Sequence, residues 1–256
     1  MSDRYVAMGS SMAAGPGIRP GAADAPFRAG RSARNYPHLV AEKLGLDLLD
    51  VTYSGATTAN VLSESQNGAP PQVDALDGSE TLVTVTIGGN DVGYVPLLMA
   101  ASLPSAARLL PVLGPRMRDL LDPGSRALAL AEVVGSLRRV GQVVRQRAPR
   151  AHVLFVDYLT LLPPAGQQAP PIAQAHADLG RHVAEALESA TAVAAADTGC
   201  SLVAAGEASR DHHAWSADPW TTRFRLPFPG RPAPLHPNAA GMRAVAGLVA
   251  TEVAKL

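Results

Sequence analysis

Two hydroxyls, a glycine, an asparagine and a histidine, far apart in the chain, have the types and settings for nucleophilic chemistry. Ser10 and Ser11 follow Tyr5-Val6-Ala7-Met8-Gly9. The apolar run reads as a short buried strand, and Gly9 permits a sharp turn with two serines where a helix could begin. Parallel α/β folds place reactive groups just past the carboxyl end of a strand. A helix N-terminus there would aim free N–H donors at an incoming anion. Gly-Ser-Ser is also ordinary loop composition, so its meaning depends on three further stretches. Ser54-Gly55-Ala56-Thr57-Thr58 and Gly88-Gly89-Asn90-Asp91 each follow a predicted strand, and Pro234-Leu235-His236-Pro237-Asn238 precedes the last predicted helix. His236 there suits a base held on a loop by Pro237 and the helix cap.

The elements that would position these groups alternate between strand and helix. Strands are expected at Tyr5 to Met8, Leu46 to Tyr53, Thr81 to Ile87 (alternating Thr with branched apolar residues), Val153 to Val156 and Leu202 to Ala204. Helices are expected at Tyr36 to Leu44, capped by Asn35 with Pro37 in its first turn and stopped by Gly45, and at Asn60 to Ser65, followed by a turn from Asn67 to Pro71. Longer ones are expected at Ser125 to Arg147, with Leu128, Val133, Leu137, Val140 and Val144 near helical spacing, at Ile172 to Ala196, and at Ala239 to Lys255 capped by Asn238. Val92 to Pro123 reads as short helices interrupted by proline, and Asp211 to Pro234 as a long loop. Such alternation implies a parallel sheet with helices on both faces, so the strand ends share one rim.

Composition bounds the function. A chain of 256 residues, 47% hydrophobic and without a Ser/Gly linker or charge block, is expected to form one domain, 1–256, with a helical insertion at about 92–124 and a long loop at about 206–235. Zero net charge argues against nucleic-acid or anionic-membrane binding by bulk electrostatics. The single Cys200 excludes an internal disulfide framework and reads as a buried small hydrophobe. No apolar run reaches the ~20 residues of a membrane span. The first residues lack a basic-then-apolar leader, so with Met1 as the natural start a cytoplasmic protein is expected.

In order along the chain, Gly9-Ser10-Ser11, Gly55, Gly88 with Asn90 and Asp91, and His236 match the blocks of the SGNH (GDSL) hydrolase family of esterases and lipases. The flanking Tyr5-Val6-Ala7-Met8, Ser54-Gly55-Ala56-Thr57-Thr58 and His236-Pro237-Asn238-Ala239-Ala240-Gly241-Met242 resemble its actinobacterial-type branch. The resemblance spans essentially the whole chain. It implies a three-layer α/β/α sandwich around a mostly parallel five-stranded sheet, flavodoxin-like, and hydrolysis of a small-molecule acyl ester with no cofactor or metal. It also implies Ser11 as nucleophile, His236 as general base, and an oxyanion hole of the Ser11 N–H, the Gly55 N–H and the Asn90 side-chain amide. Glycine suits a donor that must approach a carbonyl without a side chain in the way. Asparagine offers N–H groups that do not titrate.

Two positions depart from the family pattern. Ser10 stands where the family usually has Asp before the nucleophile, a change expected to alter turn bonding rather than abolish chemistry. Ala233 stands where an Asp normally lies three residues before the histidine. The Ala233 carbonyl is the expected acceptor for the His236 Nδ1–H, with Asp211 or Asp218 folding back as the alternative. Rival readings are a non-catalytic binding protein on a degraded hydrolase scaffold and an acyltransferase using the same site. A G-x-S-x-G elbow fails on position, because an α/β-hydrolase reaches its serine only after several strands.

Remaining candidates read mainly as structural. Asp91 should brace the turn that presents Asn90, and Asp157 should anchor a helix cap or loop. Asp211, His212 and His213 read as a polar loop rather than a metal site, His176 and His182 as surface, and His38 and His152 show no partner. Arg19, Arg28, Arg31 and Arg34 suit either a solvated loop or contact with an anionic substrate. An acyl pocket is expected along Val95, Leu97, Leu98, Met99, Leu103 and Leu109, which suit helix core equally. Trp215, Trp220, Phe224 and Phe228 could form a binding wall or anchor the long loop. Chain length of the acyl group, the alcohol and oligomeric state are not legible in the sequence.

Overall fold

The computed structural model describes residues 3–255 apart from Pro227, Pro229 and the side chain of Arg108. Strands β1 (Arg4–Gly9), β2 (Asp47–Asp50), β3 (Glu80–Thr86), β4 (His152–Val156) and β5 (Ser201–Val203) form one parallel sheet in the order β2-β1-β3-β4-β5. The helices among the described residues are α1 (Ser11–Ala14), α2 (Tyr36–Leu44), α3 (Thr58–Leu62), α4 (Tyr94–Ser102), α5 (Leu113–Leu120), α6 (Pro123–Arg147), α7 (Gln174–Asp197), α8 (Ala205–Ala208) and α9 (Ala239–Val253).

Alternation along the strands sorts side chains into two cores, as the two-residue period of a strand requires. Val6 and Met8 of β1 join Val83, Val85, Val153 and Phe155 under α4, α6 and α7. Tyr5 and Ala7 join Leu82, Leu154 and Val156 under α2 and α9. Thr84 and Thr86 of β3 face that second layer, where Thr84 Oγ1 lies 2.7 Å from the Tyr5 hydroxyl and Thr86 Oγ1 2.9 Å from that of Tyr36. Buried hydroxyls are thereby paired with one another, as burial demands. Burial also pushes the Tyr36 phenol up to about 12, so it stays neutral.

The expected three-layer α/β/α architecture is present, with shifted boundaries. Leu46 to Tyr53 is regular only at Asp47–Asp50, although Val51 and Tyr53 still donate to the carbonyls of Ala7 and Gly9 at 2.9 Å each. The helix expected at Asn60 to Ser65 begins earlier, because Thr57 and Asn60 form a reciprocal capping box. The stretch expected as loop at about 206–235 takes in most of α8 and a helical turn at Arg210–His212, which lack the apolar periodicity that marks a helix. Leu128 is 71% exposed on α6 while Val133, Leu137, Val140 and Val144 are buried, so the apolar stripe starts one turn later than its spacing suggested. Cys200 is only half-buried.

Candidate active site

The carboxyl ends of β1, β2 and β3 bring the first three polar stretches together. Gly9 has φ +147°, and a Cβ there would lie 2.5 Å from the Thr86 carbonyl oxygen, so the close approach of β1 to β3 requires glycine. The buried Gln72 side chain clamps the same residue, accepting the Gly9 N–H at 2.7 Å and donating to its carbonyl at 3.1 Å. The chain then enters α1 at Ser11, whose N–H has no acceptor among the described residues. Ser10 Oγ lies 3.0 Å from the Tyr158 hydroxyl, which also accepts the Gly89 N–H at 3.0 Å. Ser10, in the position of the family's aspartate, therefore ties the β1 turn to the β3 turn through a neutral phenol. Burial holds that phenol up at about 12.

Gly55 lies in the left-handed region at φ +82°, with an exposed backbone and an N–H that has no acceptor among the described residues. Asn90 comes alongside it, donating one Nδ2 hydrogen to the Ala56 carbonyl at 2.8 Å. A primary amide has a second hydrogen for another acceptor. Asp91 fixes this juxtaposition. Its carboxylate accepts the Thr58 N–H at 3.0 Å and the Thr58 hydroxyl at 2.5 Å, pinning the start of α3 to the β3 turn. Burial raises the Asp91 carboxyl above its ordinary value, against the lowering effect of those Thr58 bonds. Asp157 anchors α8, accepting the Gly206 N–H at 2.7 Å, and burial lifts its carboxyl to about 7.

His236 Nε2 lies 2.8 Å from Ser11 Oγ, across 225 positions of sequence. Its Nδ1 lies 2.7 Å from the Pro234 carbonyl oxygen. A carbonyl can only accept, so Nδ1 carries the proton and the neutral ring presents the Nε2 lone pair to the serine hydroxyl. The expected acceptor, Ala233, is not the one used. Its carbonyl takes the Thr222 hydroxyl at 2.7 Å, and Leu235, at φ +58°, turns the Pro234 carbonyl under the ring instead. Nor do the alternative acids approach: among the described residues no carboxylate forms an ion pair with His236, and Asp218 lies against His212. Burial, the larger effect, lowers the His236 pKa below its ordinary 6.5, and the Pro234 bond opposes it.

The loop carrying His236 is held by a main-chain ladder together with the Thr222 and Asn238 side chains. Thr222 N donates to the His236 carbonyl at 2.9 Å, Leu235 N to the Thr222 carbonyl at 3.1 Å, and Asn238 N to the Trp220 carbonyl at 2.9 Å. Asn238 also caps α9 through Ala240 N and Gly241 N. A Cβ at Gly241 would meet the Trp220 carbonyl at 2.2 Å, which keeps α9 tight against this ladder.

Other candidates fall away from the site. His212 stacks on Trp220 with ring centroids 3.9 Å apart, and His38 has a partner after all, with Nδ1 2.7 Å from Asn35 Oδ1 and near Asp50. No group of three or more potential ligands capable of holding a metal occurs among the described residues. Arg31 is buried on the Thr52 carbonyl and Asp50, a structural placement the loop's composition did not reveal. Trp215 donates to the Pro170 carbonyl at 3.2 Å and Trp220 packs into the second core, so both anchor the loop, whereas Phe228 is exposed. The expected acyl-pocket residues do not share one wall: Leu97 and Leu98 are core, and Leu109 is 84% exposed. A cavity of about 410 Å³ lies elsewhere, between Tyr158, Leu159, Leu162 and α7 residues such as Leu187, and from the Val92–Leu121 segment it takes Tyr94 alone. Sequence reading missed Pro234, Gln72, Tyr158 and Thr222, since nothing in a residue type reports which main-chain group it will face.

A parallel sheet between helical layers, with a serine–histidine pair and N–H groups that lack acceptors among the described residues on one rim, fits a hydrolase of the SGNH type. The profile of the GDSL-like lipase/acylhydrolase family matches residues 7–244. The chain belongs to that family and is a carboxylic ester hydrolase. It is 32% identical to lipase 2 of Streptomyces coelicolor over 94% of this chain and 83% of that one, and 26% identical to a lipase of Streptomyces rimosus over 93% and 81%. Among solved structures, phospholipase A1 from Streptomyces albidoflavus superposes with a TM-score of 0.79 at 24% identity, covering 99% of each chain, and shares the fold.

Proposed function

We propose that this chain hydrolyses carboxylic esters through an acyl-enzyme on Ser11. The observation that carries the reading is the 2.8 Å contact between Ser11 Oγ and the Nε2 of a histidine whose tautomer is set by the Pro234 carbonyl. His236 takes the Ser11 proton as Oγ attacks the ester carbonyl. Negative charge then develops on the carbonyl oxygen, where the N–H groups of Ser11 and Gly55 and the free Nδ2 hydrogen of Asn90 receive it. Collapse breaks the bond to the alcohol, which leaves with the proton from His236. Water then repeats the sequence, giving its proton to His236, attacking the acyl carbon and releasing the acid and Ser11.

Among the described residues the histidine has no carboxylate partner, so within the protein the Pro234 carbonyl dipole faces the imidazolium charge. That carbonyl still supplies the orientation whose loss in a Ser-His-Asp enzyme costs ~10⁴-fold through the wrong tautomer. The test is hydrolysis of p-nitrophenyl esters of short to long acyl chains by wild type, Ser11→Ala and His236→Ala. Wild-type turnover that falls by ~10³-fold or more in both variants is expected. Equal rates in all three proteins would remove the proposal.

A further inference from the structure

We propose that Gln66 is the positioning residue for the Gly55 N–H in the oxyanion hole, an inference that rests on the reading of Gly55 given above. The Gln66 side chain donates from Nε2 to the Ser54 carbonyl at 3.0 Å. The partner is a carbonyl, so the amide atom facing it must be the nitrogen. Ser54 C=O and Gly55 N–H belong to one peptide plane and, in a trans peptide, point in opposite directions. Holding the carbonyl on the Gln66 side therefore turns the Gly55 N–H to the other side, where it has no protein acceptor among the described residues.

Gly55 has special need of such an anchor. It sits at φ +82°, and without a side chain nothing else of its own limits rotation of the preceding peptide. A Cβ placed on it would lie 3.6 Å from Gln66 Nε2, so the amide packs directly beneath this residue. The anchor itself is rigid. Gln66 and Ala69 exchange N–H to carbonyl bonds of 2.9 and 3.0 Å across Asn67 and Gly68, both at positive φ, the Asn-Gly chemistry of a tight two-residue hairpin. Among the described residues Gln66 Oε1 is buried with no partner, and the Ser54 carbonyl is the group that the side chain engages. Gln66 touches no reacting atom and would act only through the orientation of a peptide.

The experiment compares wild type, Gln66→Met, Gln66→Glu and Ser11→Ala on a short p-nitrophenyl ester and on a trifluoromethyl ketone. Ser11 Oγ adds to the ketone carbonyl, its proton passes to His236, and the resulting hemiketal oxyanion occupies the hole without a leaving group. Removal of a whole oxyanion donor costs ~100–1,000-fold in turnover, so a misdirected donor is expected to cost about 10–100-fold. In both Gln66 variants kcat should drop by that factor with KM within about two-fold, and ketone affinity should weaken in parallel, because both report the oxyanion. The melting temperature identifies any variant that has lost its fold, and the near-isosteric Gln66→Glu then supplies the reading. A kcat within two-fold of wild type, or a loss confined to KM with ketone affinity unchanged, would overturn the role of Gln66. Ser11→Ala that retains wild-type turnover would instead remove the underlying reading of the site, so the two failures are distinguishable.

Discussion

The two halves of this site are built in different ways. The serine, glycine and asparagine half is assembled from three strand ends locked to one another by side chains: Gln72 on Gly9, Tyr158 between Ser10 and Gly89, and Asp91 on Thr58. The histidine half is a single loop held by main-chain bonds to Trp220 and Thr222 and by the Thr222 and Asn238 side chains, but its orienting group, the Pro234 carbonyl, comes from the backbone. On the proposed mechanism, charge is received at a fixed point in the first half, which calls for several independent braces. The second half must hold one ring in one tautomer, and a backbone carbonyl does this whatever side chain its residue carries. The aspartate of the family pattern can therefore be missing at position 233 without disconnecting the histidine from an acceptor.

This contrast makes the first half the more sensitive to side-chain change. Asn90→Ala should lower kcat ~100–1,000-fold with little effect on KM, measured by steady-state hydrolysis of a short ester. A loss under about three-fold would mean that the two backbone N–H groups suffice, and the contrast would fail at its strongest point.

The pH profile sharpens the second half. As the proposed general base, His236 would act only when neutral, and burial of the ring lowers its pKa below the ordinary 6.5. The kcat/KM should therefore be flat through neutral pH and fall only as pH drops through a value under 6.5. The same group makes the fold less stable with acid. The unfolded chain takes up the proton first, so stability contributed by the neutral ring is lost as pH falls from 6.5 toward the lower folded value. An activity limb at or above the ordinary histidine value would contradict a buried ring without a carboxylate. The smallest effect is expected for Ala233→Asp, within about three-fold of wild type, because the Ala233 carbonyl already serves Thr222 and His236 is already oriented. A large gain there would show that the carbonyl orients the ring poorly.

The same two halves differ in how far the sequence disclosed them. Each strand-end turn announced itself, because Gly9, Gly55 and Asn90 follow apolar runs and their types are dictated by close approach or by hydrogen-bond chemistry. The order of elements likewise disclosed the parallel sheet. His236 was legible from its place between prolines before a capped helix. Its acceptor was not, since the choice between the Ala233 and Pro234 carbonyls depends on Leu235 taking φ +58°, which leucine does not favour. The apolar segment after Asn90 was ambiguous for a related reason. An apolar run such as Val95 to Leu109 cannot tell core from cavity lining, and here Leu97 and Leu98 entered the core.

The central claim, that Ser11 is the nucleophile activated by a histidine oriented by a backbone carbonyl, is tested most directly by covalent labelling. A fluorophosphonate should phosphonylate Ser11 Oγ with loss of fluoride, and mass spectrometry of the digested protein should place one adduct on the peptide containing Ser11. The adduct should be absent in Ser11→Ala and should form at least ~100-fold more slowly in His236→Ala. Hydrolysis that continues while Ser11 stays unlabelled, or an adduct mapped to another residue, would contradict the account.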